Sequence, residues 1–309
     1  MGAPSWFPCN DRPDDKASYT FEITVPGGHQ ALANGSLVEH RETGGSARWT
    51  YHHPGPMASY LAAVYTGRFA RETWTVEDAG APVPVHIAYP AGRAKEVRHD
   101  LARQGRILQV FTDLFGDYPF ESYGVVVVDA ELAAPVENQT LSVFGTNHMD
   151  GRRGWETLVA HETAHQWFGN SVSLGGLAAH LAQRGVRHVR GVAVVRAPRR
   201  GRRGHARAAG PRRAGRAAGQ NLRIADPGRR PPLRRPHLRP RRLRLHALRL
   251  AVGDTRFFRV LRTWHEARRG GSADTGRVPR ACGTGDGPER GRCPRPLALR
   301  ETVPRYASA

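Results

Sequence analysis

Between Gly176 and Arg244 the chain carries 21 arginines, no lysine and a single acid, Asp226, a formal charge of +20. A segment so charged cannot be buried, because each unpaired guanidinium would forfeit its hydration. It also lacks any lasting apolar repeat of period 2 or 3.6, so it has no face to offer a core. The whole chain of 309 residues has the same formal charge of +20, which leaves everything outside this block neutral. A core must therefore be built from the residues before the block, with help from a short stretch after it.

Clustered arginine ordinarily points to nucleic acid, through neutralised phosphates and released counterions. RNA-binding tracts interleave aromatic residues for stacking, and Gly176 to Arg244 contains none. The runs at 199–203 and 239–244 resemble basic tracts in charge alone, so no specific nucleic acid is expected as partner. A non-enzymatic basic nucleic-acid-binding protein carrying a degenerate domain is the alternative reading. Cys9, Cys282 and Cys293 form neither a metal spacing nor an even set, which fits a reducing compartment and a cytoplasmic location. No 18-residue apolar run marks a membrane span, and the N-terminus lacks the order of a signal peptide.

Residues 19 to 89 read as short strands. Tyr19 to Val25 alternates and stops at Pro26-Gly27-Gly28, and Ser59 to Tyr65 stops near Gly67. The period changes after Pro90, where Val97, Leu101, Leu108, Phe111 and Phe115 recur on one face of a helix of about five turns. Tyr123 to Val128 has the β-branched character of a buried strand, and Trp155 to Phe168 reads as a helix stopped by Gly169. Amphipathic sequence returns only at 245–275. These shifts divide the chain into a β domain at 1–90, a mixed segment at 91–175, the Arg-rich 176–244, a helical remnant at 245–275 and an Arg/Gly/Pro-rich tail at 276–309.

His161-Glu162-Thr163-Ala164-His165 is the segment richest in chemistry. Two imidazoles four apart on a helix share a face and can bind one zinc ion, and the intervening Glu162 can serve as general base towards water. Leu158, Val159, Trp167 and Phe168 flank it with the apolar residues a buried helix needs. His52, His53, His86 and His99 have no partner at ligand spacing and read as surface or core histidines.

Upstream, Ala134-Pro135-Val136-Glu137-Asn138 precedes this helix, and the chain thereby resembles the aminopeptidase N family of zinc metallopeptidases, of the gluzincin type. That family's strand reads Gly-x-Met-Glu-Asn; Ala134 and Val136 depart from it, while Glu137 and Asn138 are kept. Trp6 to Lys16 and Tyr118-Pro119-Phe120 are similar to further family segments, so the likeness covers about residues 4–174 and returns over 245–275. It implies an α+β fold: a partial N-terminal β-sandwich-like domain, then a partial thermolysin-like α/β catalytic domain, then irregular Arg-rich sequence. It also implies peptides with a free N-terminus as substrates. The resemblance further implies one Zn2+ held by His161, His165 and a Glu, with Glu162 as catalytic base. It implies too that Glu137, with Asn138 and Ala134, binds the substrate's amino end, a task that suits a carboxylate because it makes a charge-assisted hydrogen bond to an ammonium.

The resemblance breaks at the third zinc ligand. Its place falls on Arg184, a donor-only cation that cannot ligate a metal; Asp129, Glu131 and Glu156 are conceivable substitutes. Read one nucleotide later, suitable codons for the residues from Leu177 onward spell Trp-Gln-His-Ile-Trp-Leu-Asn-Glu-Gly, with the Glu codon beginning inside that of Arg184. The same offset from Leu233 permits a peptide like the family's tyrosine-bearing segment, with Leu238 in the tyrosine's place. The Arg-rich blocks thus read as frame-shifted, the N-terminus as truncated and this copy as impaired. A zinc endopeptidase of another kind is disfavoured by Glu137-Asn138.

Overall fold

Strand β1 (Lys16–Pro26) forms because Phe21, Ile23 and Val25 turn inward while Glu22 and Thr24 face out. It pairs antiparallel with β4 (Ser46–Ala58), which also pairs with β3 (Ser36–Thr43), giving a three-stranded sheet with β4 in the centre. On β4 the buried residues Ala47, Trp49 and Tyr51 recur every second position, as a sheet with one covered face requires. The computed structural model describes residues 3–174 and 239–273. The expectations for 176–238 and 276–309, including Arg184 and Leu238, lie outside the described residues.

A short antiparallel ribbon of β2 (Gln30–Ala33) and β5 (Val64–Gly67) follows. The strand expected over Ser59 to Tyr65 is instead a turn at Ser59–Leu61, closed by Ala62 N–H donating to Ser59 O, and β5 begins only at Val64.

The second large sheet has five strands in the order β6-β7-β8-β10-β9. β6 (Ala70–Val76) and β7 (Val83–Tyr89) are an antiparallel hairpin, and β7 runs parallel to β8 (Tyr123–Val128). The crossover between β7 and β8 is supplied by α1 (Ala94–Leu101) and α2 (Gln104–Phe115). β10 (Leu141–Gly145) is parallel to β8, and the edge strand β9 (Val136–Asn138) returns antiparallel to β10. The fold is α+β.

The expected division at residue 90 cuts through this sheet. Val85, Ile87 and Tyr89 of β7 face the helices, while Ala88 packs with Val126, Leu141 and Leu32 on the other side. β7 pairs with β6 on one edge and with β8 on the other, so β6 and β7 join the sheet that follows them. The expected five-turn helix is two helices broken at Ala102–Arg103, yet Val97, Leu101, Leu108, Phe111 and Phe115 all reach the same core.

α3 (Glu156–Ala164) packs against α2. Far along the chain, α4 (Arg239–Glu266) is interrupted at Gly253, whose φ of 75° and ψ of 162° leave the helical region. Its second half buries Phe257, Leu261 and Trp264 in the core beneath α2 and α3. Ser173–Leu174 and Ser272–Ala273 close a two-residue parallel ladder that ties this late segment to the loop after α3. Among the described residues no helix is long and apolar enough to cross a membrane.

Candidate metal and substrate site

α3 is held from behind by polar contacts. Thr163 Oγ1 donates to Val159 O at 2.9 Å and accepts from Gln104 Nε2 at 2.9 Å, while Tyr123 Oη donates to Ser142 Oγ at 2.8 Å. Burial raises the Tyr123 phenol to about 12, so it stays a neutral donor. These bonds satisfy groups that would otherwise be costly to bury.

The helix was expected to run to Phe168 and ends at Ala164. Gln166 N–H and Trp167 N–H bond three residues back, to Thr163 O and Ala164 O, and Asn170, Ser171 and Val172 N–H then bond five residues back. The anchor of this unwinding is Trp167, fully buried among Phe111, Phe115 and Tyr118, with its indole N–H donating to Gly116 O at 2.9 Å. His165 is the first residue past the helix and remains helical in backbone, so it still lies one turn from His161.

The imidazoles of His161 and His165 have ring centroids 5.2 Å apart with planes at 81°. His165 is fully buried, whereas the His161 side chain is 22% exposed. Glu162 is buried, and its Oε1 lies 4.0 Å from His161 Nε2. From the facing strand β9, Glu137 places Oε1 3.7 Å from His165 Nε2. Donor atoms of Glu137, Glu162 and His165 all lie within 4.8 Å of one another. One imidazole and two carboxylates converging in this way suit a divalent cation, whose charge offsets theirs, and His161 stands next to this group with its ring centroid 5.2 Å from that of His165.

The other expected residues stand apart from this group. Asn138 is buried, but its Nδ2 donates to Tyr65 Oη at 2.9 Å, which makes it a strut of β9. Ala134 is exposed in the loop ahead of β9, and Asp129 and Glu131 are exposed beyond β8. Glu156, at the start of α3, is gripped by Arg103 Nη1 at 3.0 and 3.1 Å. None of the three conceivable substitutes joins the donor group, whereas Glu137 does.

Gln166, Asn170, Gln139 and Thr140 were not singled out in the sequence, and they fix Glu137 in place. Gln166 Nε2 donates to Asn138 O at 3.2 Å, and its Oε1 accepts from Thr140 N–H at 2.8 Å. Asn170 Nδ2 donates to Glu137 O at 3.0 Å. The front sheet reaches the same turn: Gly35 N–H donates to Thr140 Oγ1 at 2.8 Å, Asn34 Nδ2 to Gln139 O at 2.5 Å, and Gln139 Nε2 to His53 Nε2 at 2.7 Å. Burial, helped by neighbouring His52, pushes His53 down to about 4, so it is a neutral acceptor there. Lys16 of β1 donates to Asn170 O and Ser171 O at 3.2 and 3.0 Å, and burial lowers it to about 8. A sequence signal for Gln166 did exist: an amide between a candidate ligand and Trp167-Phe168, a place where an unbonded polar group would be expensive.

The structure thus brings two imidazoles one helical turn apart together with a carboxylate on a sheet's edge strand that faces the second of them. Residues 1–61 match the Peptidase M1 N-terminal domain and residues 99–176 the Peptidase family M1 domain. With both matched in order, the chain is similar to the M1 peptidase family over these two segments. It is similar to aminopeptidase M1 of Arabidopsis thaliana, 27% identical over 178 residues, covering 54% of this chain and 20% of that one. Human glutamyl aminopeptidase is 27% identical over 184 residues, covering 54% and 18%. Leucine aminopeptidase 2 of Pyricularia oryzae is 29% identical over 178 residues, covering 55% and 27%. The matches thus span about a fifth to a quarter of these relatives' lengths. Among solved structures, an M1 zinc metallopeptidase from Deinococcus radiodurans shares the fold with a TM-score of 0.66 at 24% identity, covering 91% of this chain and 62% of that one.

Proposed function

We propose that the described residues are the front half of a zinc-dependent aminopeptidase site that removes N-terminal residues from peptides, and that this copy is impaired. The observation that carries the reading is Glu137 on the edge strand, 3.7 Å from the innermost imidazole, His165. A carboxylate at that depth, beside the place where a scissile bond would lie, suits the α-ammonium of a peptide and sets the cut one residue in.

His161 and His165 would hold the zinc, which when bound polarises the scissile carbonyl and acidifies water. Glu162, the buried carboxylate next to His161, accepts the proton of the attacking water and hands it to the departing amine. Glu137 orients the substrate through its amino end. The relatives' names, which include glutamyl and leucine aminopeptidases, support peptide substrates of this kind. The impairment follows from Arg184 at the third ligand's place and from the frame shift inferred around it.

The test is to read the gene's nucleotides in all three frames and to express a chain whose frame is restored across 177–242. The restored chain should release N-terminal residues from peptides, lose the activity on N-acetylation of the substrate, and fall by several orders of magnitude on Glu162→Gln. The 309-residue chain should turn over almost nothing. Equal cleavage of free and N-acetylated peptides by the restored chain would end the aminopeptidase reading, and normal turnover by the 309-residue chain would end the claim of impairment.

A further inference from the structure

We propose that the cavity between the end of α2 and the end of α4 is a binding site for a small zwitterion, an α-amino acid held by both of its charges. The cavity measures about 300 Å3, the size of the smallest small-molecule pockets. It shares no residue with the donor group of Glu137, Glu162 and His165, and the inference is independent of the aminopeptidase reading.

Five ionised side chains of both signs ring it. Asp113 and Asp117 come from the last turn of α2 and the turn beyond, Glu266 from the last turn of α4, and Arg262 and Arg269 from the same late segment. All five are exposed, and among the described residues no ion pair joins any of these acids to either arginine. Each guanidinium is instead oriented by a backbone carbonyl, Arg262 by Asp113 O and Arg269, at 2.8 Å, by Pro119 O. That leaves most of the five donors on each for an anion.

The acids stand where two helices end, and the negative ends of the helix dipoles disfavour carboxylates and favour a cation. An ammonium placed among them relieves that repulsion, while a carboxylate in the same ligand takes the fork of an arginine. A simple cation would leave the arginines unanswered, and a simple anion would leave the acids so. The hollow exists because residue 116 is glycine: a Cβ there would come within 3.3 Å of Glu266 Oε1 and 3.4 Å of Arg262 Cγ, closing the gap between the walls. The α2 wall is held in place, since Gly116 O and Asp117 O both accept the Trp167 indole N–H, at 2.9 and 3.1 Å, so little order is lost on binding.

The test is isothermal titration calorimetry of the full 309-residue chain, freed of metal with a chelator, against L-leucine, N-acetyl-L-leucine and L-leucinamide. L-Leucine should bind at one site, and each derivative at least about tenfold more weakly, the worth of a charge-assisted hydrogen bond. Arg269→Gln and Glu266→Gln should each weaken L-leucine by about tenfold or more, whereas Glu137→Gln should leave it within about twofold. Should Arg269→Gln fail to fold by circular dichroism, Asp113→Asn, an isosteric change at an exposed side chain, takes its place. No binding up to about 10 mM L-leucine, equal binding of either derivative, or unchanged affinity in either cavity variant would overturn the inference. A loss confined to Glu137→Gln would overturn it too, placing the ligand on the strand carboxylate and leaving the aminopeptidase reading intact.

Discussion

Gln166 illustrates how one side chain outside the chemistry sets the chemistry's geometry. Both ends of its amide are engaged, by Asn138 O and Thr140 N–H, and it is fully buried. Gln166→Ala leaves two backbone groups without partners, so a loss of about 2 kcal/mol is expected in urea unfolding. A looser β9 should also carry the Glu137 carboxylate away from its place beside His165. Gln166→Glu can keep the bond from Thr140 N–H but not the donation to Asn138 O, and should fall between. His53 supplies a pH prediction. Its folded value of about 4 lies below the ordinary 6.5, so the unfolded chain takes up the proton first. Its stabilising effect is complete above about pH 6.5 and declines as the pH falls through that value towards 4. The loss approaches about 3 kcal/mol. His53→Gln should flatten the acid limb of a plot of unfolding free energy against pH; an unchanged slope would show that His53 is not the group responsible. The sequence showed His161, Glu162, His165 and Glu137 as chemistry-bearing residues because their types and spacings are informative by themselves. Gln166, Thr140 and His53 carry no such spacing, since their meaning comes from partners more than twenty residues away.

At the scale of elements, α3 was legible as a helix and its end was not. Apolar periodicity through Phe168 argued for continuation, but the pocket formed by Phe111, Phe115 and Tyr118 draws Trp167 down and the backbone gives way to it. Tertiary packing thereby overrode local pattern. Trp167→Ala should cost about 3–5 kcal/mol and lower the melting temperature sharply, whereas Leu158→Ala, only partly buried at the core's margin, should cost less. α4 offers a parallel check on the late segment. Phe257 is buried to 1% exposure beneath α2, and Phe257→Ala should destabilise the same cooperative unit by about 3 kcal/mol or more. If both variants shift a single transition, residues 245–273 belong to one core with 94–168. The five-stranded sheet escaped the sequence because a period-2 pattern names strands but not neighbours. β7 looked like the last strand of the front sheet and is a central strand of the next.

For the whole molecule, the front sheet and the site are one mechanical object. Asn34, Gly35 and His53 converge on Gln139 and Thr140, the two residues directly after Glu137-Asn138. Gly35 sits at φ +88°, and a Cβ there would fall 2.2 Å from His52 O. Gly35→Ala should therefore be among the most damaging small changes in the front sheet, lowering the melting temperature sharply. A protein engineer wishing to pare this chain to a minimal peptidase module would naturally discard everything ahead of the helices. The excision would remove the abutment on which β9 leans, and the shortened protein would keep its imidazoles while its edge strand drifted.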